Sequence, residues 1–117
     1  MYHSFEDLEV WKKACDLAVK VYANLKDCRD YGFKDQATRS SLSVPSNIAE
    51  GIERQSTKET IHFLHIAKGS CAELRTQIYI GQRISVIEPN AAKQIIEEAE
   101  DISRMLHGLI KSFTKDT

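Results

Sequence analysis

The chain has 117 residues, enough for one domain with its own core, and its 42% hydrophobic and 28% charged residues are a globular rather than a disordered balance. A formal net charge of −1 excludes a strong global field towards nucleic acid or an anionic membrane, so any basic surface must be local. No apolar run approaches the ~20 residues of a membrane span, and Met1-Tyr-His-Ser-Phe-Glu-Asp7 lacks the basic and apolar regions of a secretion signal, so a cytoplasmic location is expected.

The first predicted helix covers about 5–27, with Ser4 as N-cap. Leu8, Trp11, Cys15, Ala18, Tyr22 and Leu25 recur at alternating spacings of three and four, one stripe of a helix. Trp11 and Tyr22 on this stripe, and Phe113 near the other end of the chain, read as core fillers. The stripe ends before Cys28-Arg-Asp-Tyr-Gly32, where Gly32 is expected to supply a turn.

A second helix is expected over 34–53, with Ala37, Leu42, Val44, Ile48, Ala49 and Ile52 as its apolar content. Pro45 falls in its interior, where it removes a donor and presses on the carbonyl of Ser41, at about 3 kcal/mol in a plain helix. A kink is expected, with Ser41 and Ser43 placed to bond the freed carbonyls.

Ser56-Thr-Lys-Glu59 is a capping box that opens a third helix over 57–85. Leu64, Ala67, Cys71, Leu74, Ile78 and Gly81 keep the three–four spacing. Ile61, Phe63, Ile66, Tyr79, Ile80 and Ile84 add a second apolar edge, more than one small bundle hides. Gly69 and Gly81 are read as points of close helix approach, and Tyr79 as core. Pro89 suits the first turn of a fourth helix over 89–113, whose stripe runs Ala92, Ile95, Ala99, Ile102, Leu106, Leu109 and Phe113, with the last four residues fraying. Four long helices joined by short turns, with no strand pattern, predict an all-α fold: a single antiparallel up-down four-helix bundle over 1–117.

Several words of this chain resemble a known family. They are Phe5-Glu-Asp-Leu-Glu-Val-Trp11, Gln36, Arg39, Ser43-Val-Pro-Ser-Asn-Ile-Ala-Glu-Gly51, Phe63-Leu64, Ile66-Ala-Lys-Gly-Ser70, Glu73-Leu74 and Gln77. In this order they resemble the four-helix-bundle proteins encoded in intervening sequences of bacterial large-subunit ribosomal RNA genes. That family is similar in turn to the accessory variability protein of diversity-generating retroelements, a pentameric barrel that works with a reverse transcriptase and RNA. The resemblance implies an up-down bundle assembled as a homopentamer around a central channel, and no settled activity. Lys34 and Thr38 depart from the family's usual polar or basic residues, and the near-neutral charge departs from the basic nucleic-acid-binding relative.

Two constellations follow from the residues themselves. Asn47 and Glu50 are three apart, as are Ser70 and Glu73, so each pair shares a helix face. With Ser43 and Pro45 they read as a structural polar network between the second and third helices. The competing reading makes Glu50 and Glu73 an acid–base pair, which requires both to reach solvent together. The second constellation is basic: Arg39, Arg54, Lys58, Lys68, Arg75 and Arg83. Repeated around a ring these six would meet phosphates, which gives the expected function: a non-enzymatic, self-assembling module that binds RNA or a ribonucleoprotein. The alternative is a protein-binding scaffold that touches no nucleic acid.

No cofactor and no metal site is expected. His62 and His65, three apart beyond Glu59, read as surface histidines, His107 and His3 carry no reading of their own, and Cys15, Cys28 and Cys71 read as reduced thiols.

Overall fold

The computed structural model describes residues 4–115. A single 3-10 turn, Phe5–Asp7, precedes four α-helices: α1 (Glu9–Asn24), α2 (Tyr31–Ile52), α3 (Thr57–Arg83) and α4 (Pro89–Lys115). Each helix packs against its neighbours in sequence, and α1 closes on α4, giving an antiparallel up-down bundle of 46 × 20 × 19 Å. The core is one column of aliphatic side chains, among them Leu17, Val21, Val44, Ile48, Leu64, Leu74, Ile78, Ile95, Ile102 and Leu106, all essentially without solvent contact.

The first helix is shorter than its apolar stripe. Leu8 takes extended backbone (φ −78°, ψ 127°) and drops its side chain into the core, so the chain turns once as 3-10 helix before α1 begins at Glu9. Ser4 precedes that turn without a side-chain cap. Phe5 meets the Trp11 ring edge-on, with centroids 5.2 Å apart. Trp11 and Phe113 pack on the core from its rim. Tyr22 does not; it is exposed, because it sits on the flank of α1 that no helix covers.

α2 begins earlier than the sequence pattern placed it. Asp30 accepts a 3.1 Å bond from the Phe33 amide, and the Asp30 carbonyl accepts from Lys34 N–H at 2.9 Å. Gly32 is therefore inside the first turn of α2, at negative φ, and not a turn residue. α2 continues through Pro45, which is buried. Neither serine bonds the carbonyl that Pro45 frees: Ser41 donates to the Thr38 carbonyl at 2.8 Å, and Ser43 turns across to α3.

The serine half of the capping box at the start of α3 is in place, the Ser56 hydroxyl accepting from Glu59 N–H at 3.1 Å, while the Glu59 carboxylate accepts from that hydroxyl at 3.1 Å rather than from the Ser56 amide. α3 ends in a Schellman motif: Val86 N–H reaches the Gly81 carbonyl at 2.9 Å and Ser85 N–H the Gln82 carbonyl at 3.1 Å. Ser85 holds the left-handed position at φ 66°, where glycine is the usual residue. The motif folds Ile87 back into the core. Of the two α3 glycines, only Gly81 is a close approach: a methyl there would meet the Phe33 ring at 2.8 Å, whereas one at Gly69 would meet nothing within 4 Å. Tyr79 is exposed rather than core, on the rim of an open cleft that it lines with Pro89, Lys93 and Glu97 of α4. α4 runs on to Lys115, past the expected fraying point, while Asp116 and Thr117 of that expectation lie outside the described residues, as does His3.

Candidate functional site: the α2–α3 face

α2 and α3 approach closely at Gly51. A methyl on Gly51 would stand 2.9 Å from Phe63 Cβ and 3.1 Å from the Thr60 carbonyl oxygen. The absence of a side chain lets the Thr60 hydroxyl donate to the Gly51 carbonyl at 2.8 Å, satisfying an acceptor in the last turn of α2 from within α3. Two turns back along α2, the Ser43 and Ser70 hydroxyls bond across the pair at 2.8 Å. Asn47 donates to both the carbonyl and the hydroxyl of Ser43, at 2.8 and 2.9 Å, so the Ser43 oxygen is oriented before α3 arrives. These residues explain why the serine- and asparagine-rich word is tolerated in a helix: Ser41 and Asn47 bond within α2, and Ser43 carries the word's one bond across to α3.

The two carboxylates predicted beside this network lie at its margins. Glu50 accepts from Arg54 at 2.8 Å. The Arg54 guanidinium also reaches Glu59 at 3.6 Å and lies 4.6 Å over the Phe63 ring, tying the end of α2 to the start of α3. Glu73 is exposed and makes no hydrogen bond or ion pair among the described residues. From the Ser43–Ser70 contact, Glu50 is seven residues along α2 and Glu73 three along α3, which runs the opposite way. At about 1.5 Å of rise per residue they are roughly 15 Å apart along the axis, too far to share one substrate atom.

The six basic residues fall on separate surfaces. Arg39 is engaged by Asp35 at 2.9 Å, one turn earlier on α2, and Arg54 by its two glutamates. Lys68 points to α4, its amino nitrogen 3.3 Å from His107 Nδ1. Arg75, two turns on along the same flank, is half-buried. Lys58 and Arg83 are exposed in the first and last turns of α3.

Burial pushes the Cys71 thiol up to about 11, against a smaller lowering by Arg75. Burial, helped by Asp16, also raises Cys15. Both are therefore thiols near neutral pH. His62 is exposed and edge-on to Phe63, and among the described residues no three His, Cys, Asp or Glu side chains are grouped to hold a metal ion.

Two contributors to this face are hard to see in sequence. Thr60 looks like an ordinary first-turn residue, and only the glycine nine residues earlier hints at its role. Gln77 carries a buried side-chain carbonyl oxygen without a hydrogen-bond partner. It follows Ser70 by two turns on the same flank of α3, which the glutamine's polarity alone does not announce.

Six of the exposed apolar side chains fall in two strips, with Tyr31 and Tyr79 exposed apart from them. Val19 and Tyr22 on α1 and Leu42 on α2 form one; Ile66, Ile80 and Ile84 form the other, along the flank of α3 shared with Ser70 and Gln77. No helix among the described residues is long and apolar enough to cross a membrane.

No curated protein matches the chain. Among solved structures, a protein of unknown function from the S23 ribosomal protein family of Bacteroides thetaiotaomicron superposes with a TM-score of 0.82 at 25% identity, covering 87% of this chain and 98% of its own. The sequence profile of the 23S rRNA-intervening sequence proteins matches residues 6–108, a span that contains the whole α2–α3 face. With that match over most of its length, the chain belongs to the 23S rRNA-intervening sequence protein family.

Proposed function

We propose that this protein is a non-enzymatic, self-assembling bundle of the cytoplasm that binds RNA or a ribonucleoprotein through basic side chains of α2 and α3. The observation that carries the reading is the pair of exposed apolar strips. Val19 is 69% exposed and Ile84 49%, exposures costly to leave wet when several such side chains align. Because the strips lie on different faces, they suit a heterologous contact, the kind that builds a ring where its rotation closes. A homopentamer is the ring the family resemblance implies. Repetition around that ring would multiply Lys58, Lys68, Arg75 and Arg83, none of which has a carboxylate partner among the described residues. The separation of Glu50 from Glu73 argues against a hydrolytic use of the same face.

A second reading, a scaffold for protein partners without nucleic acid, draws on one fact: Arg39 and Arg54 are already neutralised by Asp35, Glu50 and Glu59. Light scattering for the particle mass, followed by RNA gel shifts at rising salt, tests the proposal. Binding that falls steeply with salt, and weakens in Arg39→Glu/Arg75→Glu while the particle mass holds, is expected. Wild-type protein that ignores RNA at low salt, with partners that survive nuclease treatment, transfers the case to the scaffold.

A further inference from the structure

The turn between α1 and α2 is a built feature. Cys28 N–H bonds the Leu25 carbonyl at 3.0 Å, Leu25 is fully buried, and Cys28 packs on the core. Lys34 reaches back over the turn, its ammonium donating to the Lys26 backbone carbonyl at 3.1 Å. Arg29 lies between them in sequence. None of the three cations makes an ion pair among the described residues, although Asp27 and Asp30 are in the same turn. Asp30 is committed instead to capping α2 through the Phe33 amide. Beside them Tyr31 stands 71% exposed, the most exposed large hydrophobic side chain among the described residues. Lys26, Arg29, Tyr31 and Lys34 line one cleft of about 450 Å³ with Asp27 and Cys28.

A hydrogen-bonded turn that presents three cations without ion pairs and one bare aromatic ring around a concavity, against a single carboxylate, Asp27, in the same lining, has the parts that single-stranded nucleic acid uses: phosphates for the cations, a base face for the ring. The cations alone would attract any polyanion. The tyrosine adds a preference for one that carries unstacked bases. We infer that the α1–α2 turn docks a single-stranded RNA segment, with Lys26, Arg29 and Lys34 on its phosphates and Tyr31 stacked on a base. The inference rests on the RNA reading above but moves the contact to residues outside α3 altogether.

The test compares wild type, Lys26→Glu/Arg29→Glu, Tyr31→Ala and Arg39→Glu/Arg75→Glu on a fluorescent single-stranded RNA and on a duplex of equal length, across a salt series. All the substituted turn side chains are exposed, and circular dichroism verifies the fold. The charge variant is expected to lose about tenfold in affinity at low salt and to flatten the salt slope by about one to two. Tyr31→Ala is expected to lose about five- to tenfold on the single strand, with the slope unchanged and little effect on the duplex. If wild type binds the single strand and both turn variants bind equally well, the turn is not the site while RNA binding itself stands. Equal loss on duplex and single strand for Tyr31→Ala removes the stacking role. A wild type that binds neither RNA defeats both readings together.

Discussion

The hydroxyl of Thr60 donates to the carbonyl of Gly51 across a gap that no side chain larger than hydrogen could share. The bond and the missing side chain depend on each other: the helices must nearly touch for a threonine on one to reach the backbone of the other.

Gly51→Ala should therefore destabilise the fold by about 1–3 kcal/mol, because the new methyl meets Phe63 Cβ and a backbone oxygen rather than a flexible side-chain tip. Gly69→Ala, into open space in the middle of the same helix pair, should stabilise it by about 0.5–1 kcal/mol. Urea titrations of the two variants give the comparison, and a similar response at both sites would refute the close approach.

Ser43 and Ser70 should be energetically coupled. A double-mutant cycle with alanine at each position is expected to show about 1 kcal/mol of interaction, since either single change leaves the other hydroxyl short of a partner in a part-buried contact. Asn47 also donates to the Ser43 hydroxyl, so Ser43→Ala removes two bonds where Ser70→Ala removes one, and is expected to cost more.

Ser85→Gly should raise stability by up to about 1 kcal/mol. The serine already sits at φ 66°, so glycine relieves a backbone strain while keeping the Schellman bonds of Val86 and Ser85. A higher thermal midpoint checks it.

Alkaline pH should weaken the protein through Cys71. Its folded-state value is raised from 9.0 to about 11, so the unfolded chain releases this proton first. The contribution is whole below about pH 9 and is lost as pH climbs towards 11, amounting to about 2–3 kcal/mol in all. Stability measured from pH 7 to 11 should decline less in Cys71→Ala than in wild type.

What the sequence showed well was set by periodicity and capping. The stripe of α4 and the capping box of α3 carry strong local signals, and the bundle follows from them. Boundaries failed where tertiary contact overrode local pattern. Leu8 left its helix because the core had room for it, and Asp30 started α2 three residues before the expected place. The polar face was only partly legible. The serines and Asn47 stand out by being costly in a helix, whereas Thr60 and Gln77 are unremarkable residues whose meaning lies wholly in what faces them. Tyr22, Tyr79, Leu42, Ile66, Ile80 and Ile84 have the character of core residues, and periodicity alone cannot tell a monomer's core from a surface left for another chain.

Pro45 has no amide proton for the Ser41 carbonyl, so the backbone ladder of α2 has a missing rung near its middle. Both sides of the gap are fastened to α3, the earlier half through Phe33 against Gly81 and Ser43 on Ser70, the later half through Gly51 against Thr60. α3 has no such interruption and thus splints the weak point. Amide exchange in the two halves of α2 should slow and quicken together, as one cooperative unit, and a hinge at the proline would have to break α3 contacts before it could open.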